Sequence, residues 1–313
     1  MTNPEPVASM DLVTQLIRPR PPHNPDVANE AGDAADAAAL AAGVRVREIG
    51  DLDGLEEVYL LYDGIWRPDP KNPPVTTALL RALTKAGNYV SGAYDDTGLV
   101  GACVGFFGAS GASLELHSHI AGVAPRALGR SVGFALKLHQ RAWALRRGVT
   151  VIEWTYDPLV RRNAYFNVVK LGALPAEYLP RFYGGMADTI NSGDDTDRLL
   201  ARWALDSPEV TAASLGKPAP RDAQQELAAG AVVALSRTED GAPEPGTLDA
   251  QILLVAVPPD IEALRSADPE MAKRWRVGVR NALGTAMAEG GRVVGFDRAG
   301  WYVVSRTPAT EST

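Results

Sequence analysis

Between residues 44 and 171 the chain switches repeatedly between two hydrophobic periods. The stretch VRVREI, Val44 to Ile49, alternates apolar and polar positions and predicts a strand. LDGLEEVYLLYDGIW follows, with apolar residues at Leu55, Val58, Tyr59, Leu61 and Tyr62, the stripe of a helix. TTALLRALTKAG predicts a second helix, capped by Thr76 or Thr77 and stopped at Gly87. Three strands come next, NYVSGAYDD, GLVGACVGFFG and SLELHSHIAGV, joined by turns short enough for an antiparallel meander. A helix from Val132 to Arg147, the strand VTVIEW and a helix from about Val160 to Leu171 complete the order β-α-α-β-β-β-α-β-α. The step from SLELHSHIAGV through a helix to VTVIEW is a right-handed crossover between parallel strands. The fold class is therefore α/β (α+β): a mixed, mostly antiparallel sheet flanked by helices.

The flanking regions differ in texture. Residues 1–42 are rich in Pro, Ala, Asp and Asn and read as a mostly disordered segment, with Ala34–Ala42 as its one helical stretch. Residues 206–247 read as loop. After them come the strand AQILLVAVPPD, a helix around EMAKRWRVGVRNALGTAMAEGG, and the strands RVVGFD and WYVVSR. This C-terminal α/β extension echoes the earlier strand–Val-Ala-Pro–helix–strand run, either as a half-repeat extending the same sheet or by chance. The division is thus 1–42, a domain at 43–204 and an extension at 205–313.

At 313 residues and 46% hydrophobic content the chain has material for a sizeable core. A net charge of −7 argues against nucleic acid as a partner. One cysteine, Cys103, lies in an apolar run, which implies packing and no disulfide framework. No apolar run is long enough for a membrane span and no leader is evident, so a cytoplasmic location is expected. No His, Cys, Asp and Glu spacing suggests a metal site.

Chemistry concentrates in HSHIAGVAPRALGRSVGFALK, His117 to Lys137. A strand end, a glycine-bearing loop and a helix start leave backbone N–H groups free at the positive end of a helix dipole, which suits phosphate. Gly129 and Gly133 allow close approach, Ser131 adds a hydroxyl, and Arg126 and Arg130 offer charge; an ordinary strand-to-helix turn is the alternative. On the preceding strand Glu115, His117 and His119 share one face, opposite Leu114, Leu116, Ser118 and Ile120. A histidine there is a candidate base, since an attacking amine must be neutral and imidazole titrates near ~6.5. Glu153, Thr155 and Asp157 share a face of the next strand, where Asp157-Pro158 is placed to cap the following helix. Asn163 and Asn167 sit on one face of that helix.

GVAPRALGRSVGFAL resembles the acyl-CoA-binding segment of the GNAT N-acyltransferase superfamily, V-x-P followed by R/Q-x-x-G-x-G/A. Leu128 and Ser131 stand at the Arg/Gln and first Gly positions of that pattern, and Gly133 at the second Gly. RRNAYFNVVKLGAL resembles the family's N-x-x-A…G-F helix. WTYDPL, FYGG and TDRLLARW resemble a less-characterised branch of predicted acyltransferases that carries a C-terminal extension.

The resemblance implies a GNAT-type fold and an acyl-CoA co-substrate without metal. Val123 would contact the acyl-pantetheine arm, and Gly129, Arg130, Ser131, Val132 and Gly133 the pyrophosphate. Asn163 would face the pantetheine or acceptor. The family's frequent general acid, a tyrosine, is replaced by Val168; Tyr183 is the preferred substitute among Tyr165, Tyr178 and Tyr183. His119, with His117 and Glu115, is the base-bearing candidate. The implied activity is transfer of an acetyl, succinyl or other acyl group to the amine of a small molecule, such as an amino acid. Rival readings are a thioester decarboxylase or S-acyltransferase on the same fold, and a non-catalytic acyl-CoA-binding module. The extension either covers the cleft or pairs two copies as a homodimer.

Overall fold

A computed structural model describes residues 24–69, 73–110, 113–184 and 195–306. The first helix, α1 (Pro25–Ala41), starts where Asn24 accepts hydrogen bonds from the amides of Asp26 and Val27, with Pro25 in the first turn. Its buried face is Ala28, Ala31, Gly32, Ala34 and Ala35. These small side chains let it lie close against a later helix, α4 (Val132–Leu145). Disorder expected over 24–33 is thereby corrected: polar composition hid a capped helix with a small-residue face. Residues 1–23 of that expected segment lie outside the described residues.

Seven strands form one sheet in the order β1-β2-β3-β4-β5-β7-β6. They are β1 (Arg45–Glu48), β2 (Tyr89–Asp95), β3 (Gly98–Ser110), β4 (Ser113–Val123), β5 (Val151–Tyr156), β6 (Leu174–Leu179) and β7 (Arg198–Ala204). All neighbours are antiparallel except β4 and β5. The expected mixed, mostly antiparallel sheet flanked by helices is what the chain adopts. Helices α2 (Leu52–Trp66) and α3 (Thr77–Lys85) cover one face around Leu55, Val58, Leu80, Val90 and Val104. Helices α1 and α4 cover the other, around Tyr89, Cys103, Leu116 and Leu136. Helix α5 (Arg161–Ala164) is prolonged as a π-helix, Tyr165–Lys170. TDRLLARW supplies β7 from Arg198 onward, inserted between β5 and β6.

The C-terminal half does not extend this sheet. It builds a second one, β11-β12-β10-β8-β9, from β8 (Val232–Arg237), β9 (Pro243–Pro245), β10 (Ile252–Ala256), β11 (Arg292–Asp297) and β12 (Trp301–Ser305). Residues 206–247 are not simply loop. They hold α6 (Pro208–Ser214) and α7 (Ala223–Ala228), each capped by a Ser or Asp side chain, as well as β8 and β9. Helices α8 (Ile261–Ala267) and α9 (Pro269–Val279) follow β10.

The two sheets meet at the end of β5. Asp157 is buried there and does not cap α5 by its side chain. Its Oδ1 and Oδ2 accept from Arg276 Nη1 and Nη2 at 2.8 and 2.9 Å, and Oδ2 also accepts from Arg265 Nη2 at 2.5 Å. Both arginines are buried as well. Burial alone would push the Asp157 carboxyl up, but the two guanidiniums outweigh it and hold the group well below the usual carboxylate range. Nearby, Arg280 holds Asp195 and Asp197, and Tyr302 donates to the Pro158 carbonyl at 2.9 Å.

Candidate functional site

Strands β4 and β5 pair at only two positions, Leu116 with Ile152 and His117 with Glu153. Beyond His117 they diverge, and the rest of β4 keeps an unpaired edge. The gap is a cavity of roughly 320 Å³, walled by Ser118 to Val123 of β4, Trp154 to Tyr156 of β5, Gly133, Leu136 and Lys137 of α4, and Asn163, Phe166 and Asn167 of α5 and its π extension. Ala124 N–H bonds to the Val100 carbonyl of β3 at 2.8 Å. Alternation along the strand therefore turns the amides of Val123 and Ala121 toward the gap.

At the mouth, residues 124–131 form a short 3-10 turn and a tight loop before α4. The amides of Gly129, Arg130, Ser131, Val132 and Gly133 find no acceptor among the described residues. Gly129 has φ of +81° and Ser131 has φ of +63°, the left-handed region that favours glycine. Ser131 thus adopts the backbone shape of the glycine it replaces in the resembled pattern. The two loop arginines do not reach into the mouth. Arg130 pairs with Asp95 at 2.7 Å and with the carbonyls of Ala42 and Gly43; Arg126 bonds to Thr97 and to the Leu99 carbonyl. They fasten the loop to the β2–β3 turn and the end of α1, so any anion there rests on backbone N–H groups and the helix dipole.

The register between β3 and β4 shifts at Val104/Gly105: Val104 faces Ile120 and Gly105 faces Ser118, leaving His119 as the extra residue of a bulge. The bulge reverses the alternation that the sequence implies. Ile120 and Gly122 lie on the α2 side, where a Cβ on Gly122 would stand 2.6 Å from the Trp66 ring. Val123 lies on the α4 side. His117 and His119 both pack against Phe106, with ring centroids 5.1 and 5.7 Å away, opposite the α4 face. Desolvation lowers both imidazole pKa values; His119 and Lys137 lower His117 further, whereas a hydrogen bond to Pro74 partly offsets the effect at His119. His119 walls the cavity; His117 sits at the last paired position. Glu115 is drawn away from them into an ion pair with Arg202 at 2.7 Å, and Arg202 also binds Glu153.

Of the tyrosines, Tyr178 is buried and donates to Asp197 at 2.7 Å, and Val168 is packed in the core. Tyr183 lies at the rim, its hydroxyl 3.0 Å from Thr155 Oγ1. Asn163 and Asn167 both line the gap.

One cavity residue was not singled out from sequence. Lys137 is buried at 5% exposure, donates to Ser118 Oγ and Gln140 Oε1, both at 3.0 Å, and lies 3.7 Å from the centre of the Trp154 ring. Burial depresses its pKa to about 8. The available signal was the helix VGFALKLHQRAWAL, whose apolar residues fall on several sides and so enclose some of its polar ones. Among the described residues no three His, Cys, Asp or Glu side chains gather to hold a metal ion, and no helix is long and apolar enough to cross a membrane.

No protein-family model and no curated protein matches the chain. Solved structures are similar over about half of it. A GNAT-family acetyltransferase of Streptococcus pneumoniae is 13% identical, with a TM-score of 0.42 over 51% of this chain and 98% of its own. An N-acetyltransferase of Staphylococcus aureus Mu50 is 13% identical, with a TM-score of 0.41 over 52% and 99%. A ribosomal-protein-alanine N-acetyltransferase of Brucella melitensis is 17% identical, with a TM-score of 0.40 over 51% and 99%.

Proposed function

We propose that the chain is an acyl-CoA-dependent N-acyltransferase acting on the amine of a small molecule. The observation that carries this reading is the gap between β4 and β5, with a cradle of unpaired amides, Gly129–Gly133, at its mouth. An extended thioester fits that shape: phosphates on the loop amides, amide-bearing arm along the free edge of β4, reacting carbonyl deep in the gap. Val123 and Ala121 amides face the arm, and Asn163 and Asn167 offer it polar contacts from the opposite wall. His119 would accept the proton of an attacking amine, and desolvation favours its neutral form. Backbone N–H groups on the β4 edge would polarise the carbonyl. Tyr183, through Thr155, stands on the acceptor side of the rim.

A panel of acyl-CoA thioesters crossed with small amines, followed by thiol release, tests the reading. Thiol release dependent on an amine, lost in His119→Ala, is expected. Absence of both calorimetric CoA binding and turnover across the panel would overturn it.

A further inference from the structure

The vertex of the gap, where β4 and β5 part, is occupied by Lys137. Its ammonium is surrounded by Ser118 and Cys103 on β4 and β3, Gln140 on its own helix, Trp154 on β5 and Trp203 on β7. The charged and titratable groups acting on it are the Cys103 thiol, itself pushed up by burial, and His117 across the sheet. Among the described residues no carboxylate pairs with it. A buried cation lacking a counter-ion is costly, and the cost falls when an anion forms beside it. Ser118 points to the α4 side of the sheet and His119 to the other, so a thioester in the gap would have an imidazole on one side and an ammonium on the opposite one.

Building on the acyltransferase reading, we propose that Lys137 is the acid that protonates the departing thiolate. The neutral amine of the acceptor forms the C–N bond, and the C–S bond breaks with its electron pair on sulfur. The Nζ–H proton passes to that sulfur, directly or through the Ser118 hydroxyl. The surplus proton on the new amide nitrogen goes to His119. Water then reprotonates Lys137 and deprotonates His119, returning the enzyme to its starting state. Lys137 thereby fills the role left open by Val168. An ammonium with pKa about 8 is matched to a thiol near ~8.5 and is mostly protonated at pH 7.

The test compares wild type with Lys137→Met, a near-isosteric change, using two thioesters of one acyl group: the CoA thioester and a nitrothiophenyl thioester, whose acidic thiolate leaves unprotonated. Circular dichroism checks the fold, and Ser118→Ala serves as the second variant. With the CoA thioester, Lys137→Met is expected to lower kcat by about 100-fold and abolish the fall in wild-type kcat above pH ~8. CoA affinity should change little, and with the aryl thioester the two proteins should turn over within a few-fold of each other. Ser118→Ala should give a smaller loss with the same leaving-group dependence. Equal losses with both thioesters, an unchanged pH profile, or a KM effect confined to acyl groups ending in a carboxylate would each overturn the acid role. A wild type inert on every acyl-CoA would instead overturn the acyltransferase reading on which it rests.

Discussion

Two of the regions in which the described residues bury positive charge resolve it in opposite ways. At the junction of the sheets, Arg276 meets Asp157 in forked geometry and Arg265 adds a bond to Oδ2, so the buried carboxylate sits between two guanidiniums. At the vertex of the β4–β5 gap, Lys137 has a hydroxyl, an amide oxygen and an indole face but, among the described residues, no carboxylate. A matched cluster serves the fold, because removing any member strands the others. An unmatched cation weakens the fold, and its placement in a cavity indicates that its partner arrives with the reaction.

The contrast breaks most sharply at the junction. Asp157→Asn removes the carboxylate that the two buried guanidiniums share, and should cost about 3–5 kcal/mol in chemical denaturation. Because the folded carboxyl is held below its unfolded pKa, that contribution is present above pH ~4 and is lost as pH falls further. Wild type should therefore lose stability in acid, while Asp157→Asn, already weakened, changes less. A variant as stable as wild type at pH 7 would erase the distinction.

Lys137→Met should act in the opposite direction. Lys137 binds its proton more weakly in the folded chain, about 8, than when unfolded, ~10.4, so folding is penalised below pH ~8 by up to about 3 kcal/mol. The penalty fades as pH rises toward ~10. The variant should thus melt above wild type at pH 7, and the gap should narrow at pH 10. A lower Tm at pH 7 would mean that Lys137 is structural after all.

The smallest effect is expected at the mouth. Ser131→Gly removes a Cβ from a left-handed backbone and should change stability by no more than about 1 kcal/mol, without weakening CoA binding. A large loss of affinity would assign the Ser131 side chain a role that the backbone amides alone do not explain.

The sequence made the order of elements and the loop legible, because both follow from local rules: hydrophobic period, capping residues and glycine placement. It also drew attention to His119 and Val123, which sit on the gap. Other features depend on distant partners and left no local trace. The bulge at His119 arises from mismatch with β3, and nothing in LELHSHI announces it. Arg126 and Arg130 look like phosphate ligands beside a glycine loop until Asp95, Thr97 and the end of α1 are placed beside them. Asp157 reads as a helix cap because its partners lie more than a hundred residues further along the chain. Lys137 was readable in principle, from the apolar character of its helix, but its isolation from carboxylates was not.

Asp157 also bears on the order in which the protein can mature. Its closest guanidinium partners lie 108 and 119 residues downstream. While the chain emerges from the ribosome, the first sheet can pair its strands long before Arg265 and Arg276 exist, yet closing the end of β5 would then seal a lone carboxylate away from water. The first sheet thus gains its full stability only once Arg265 and Arg276 have been made and packed against the end of β5.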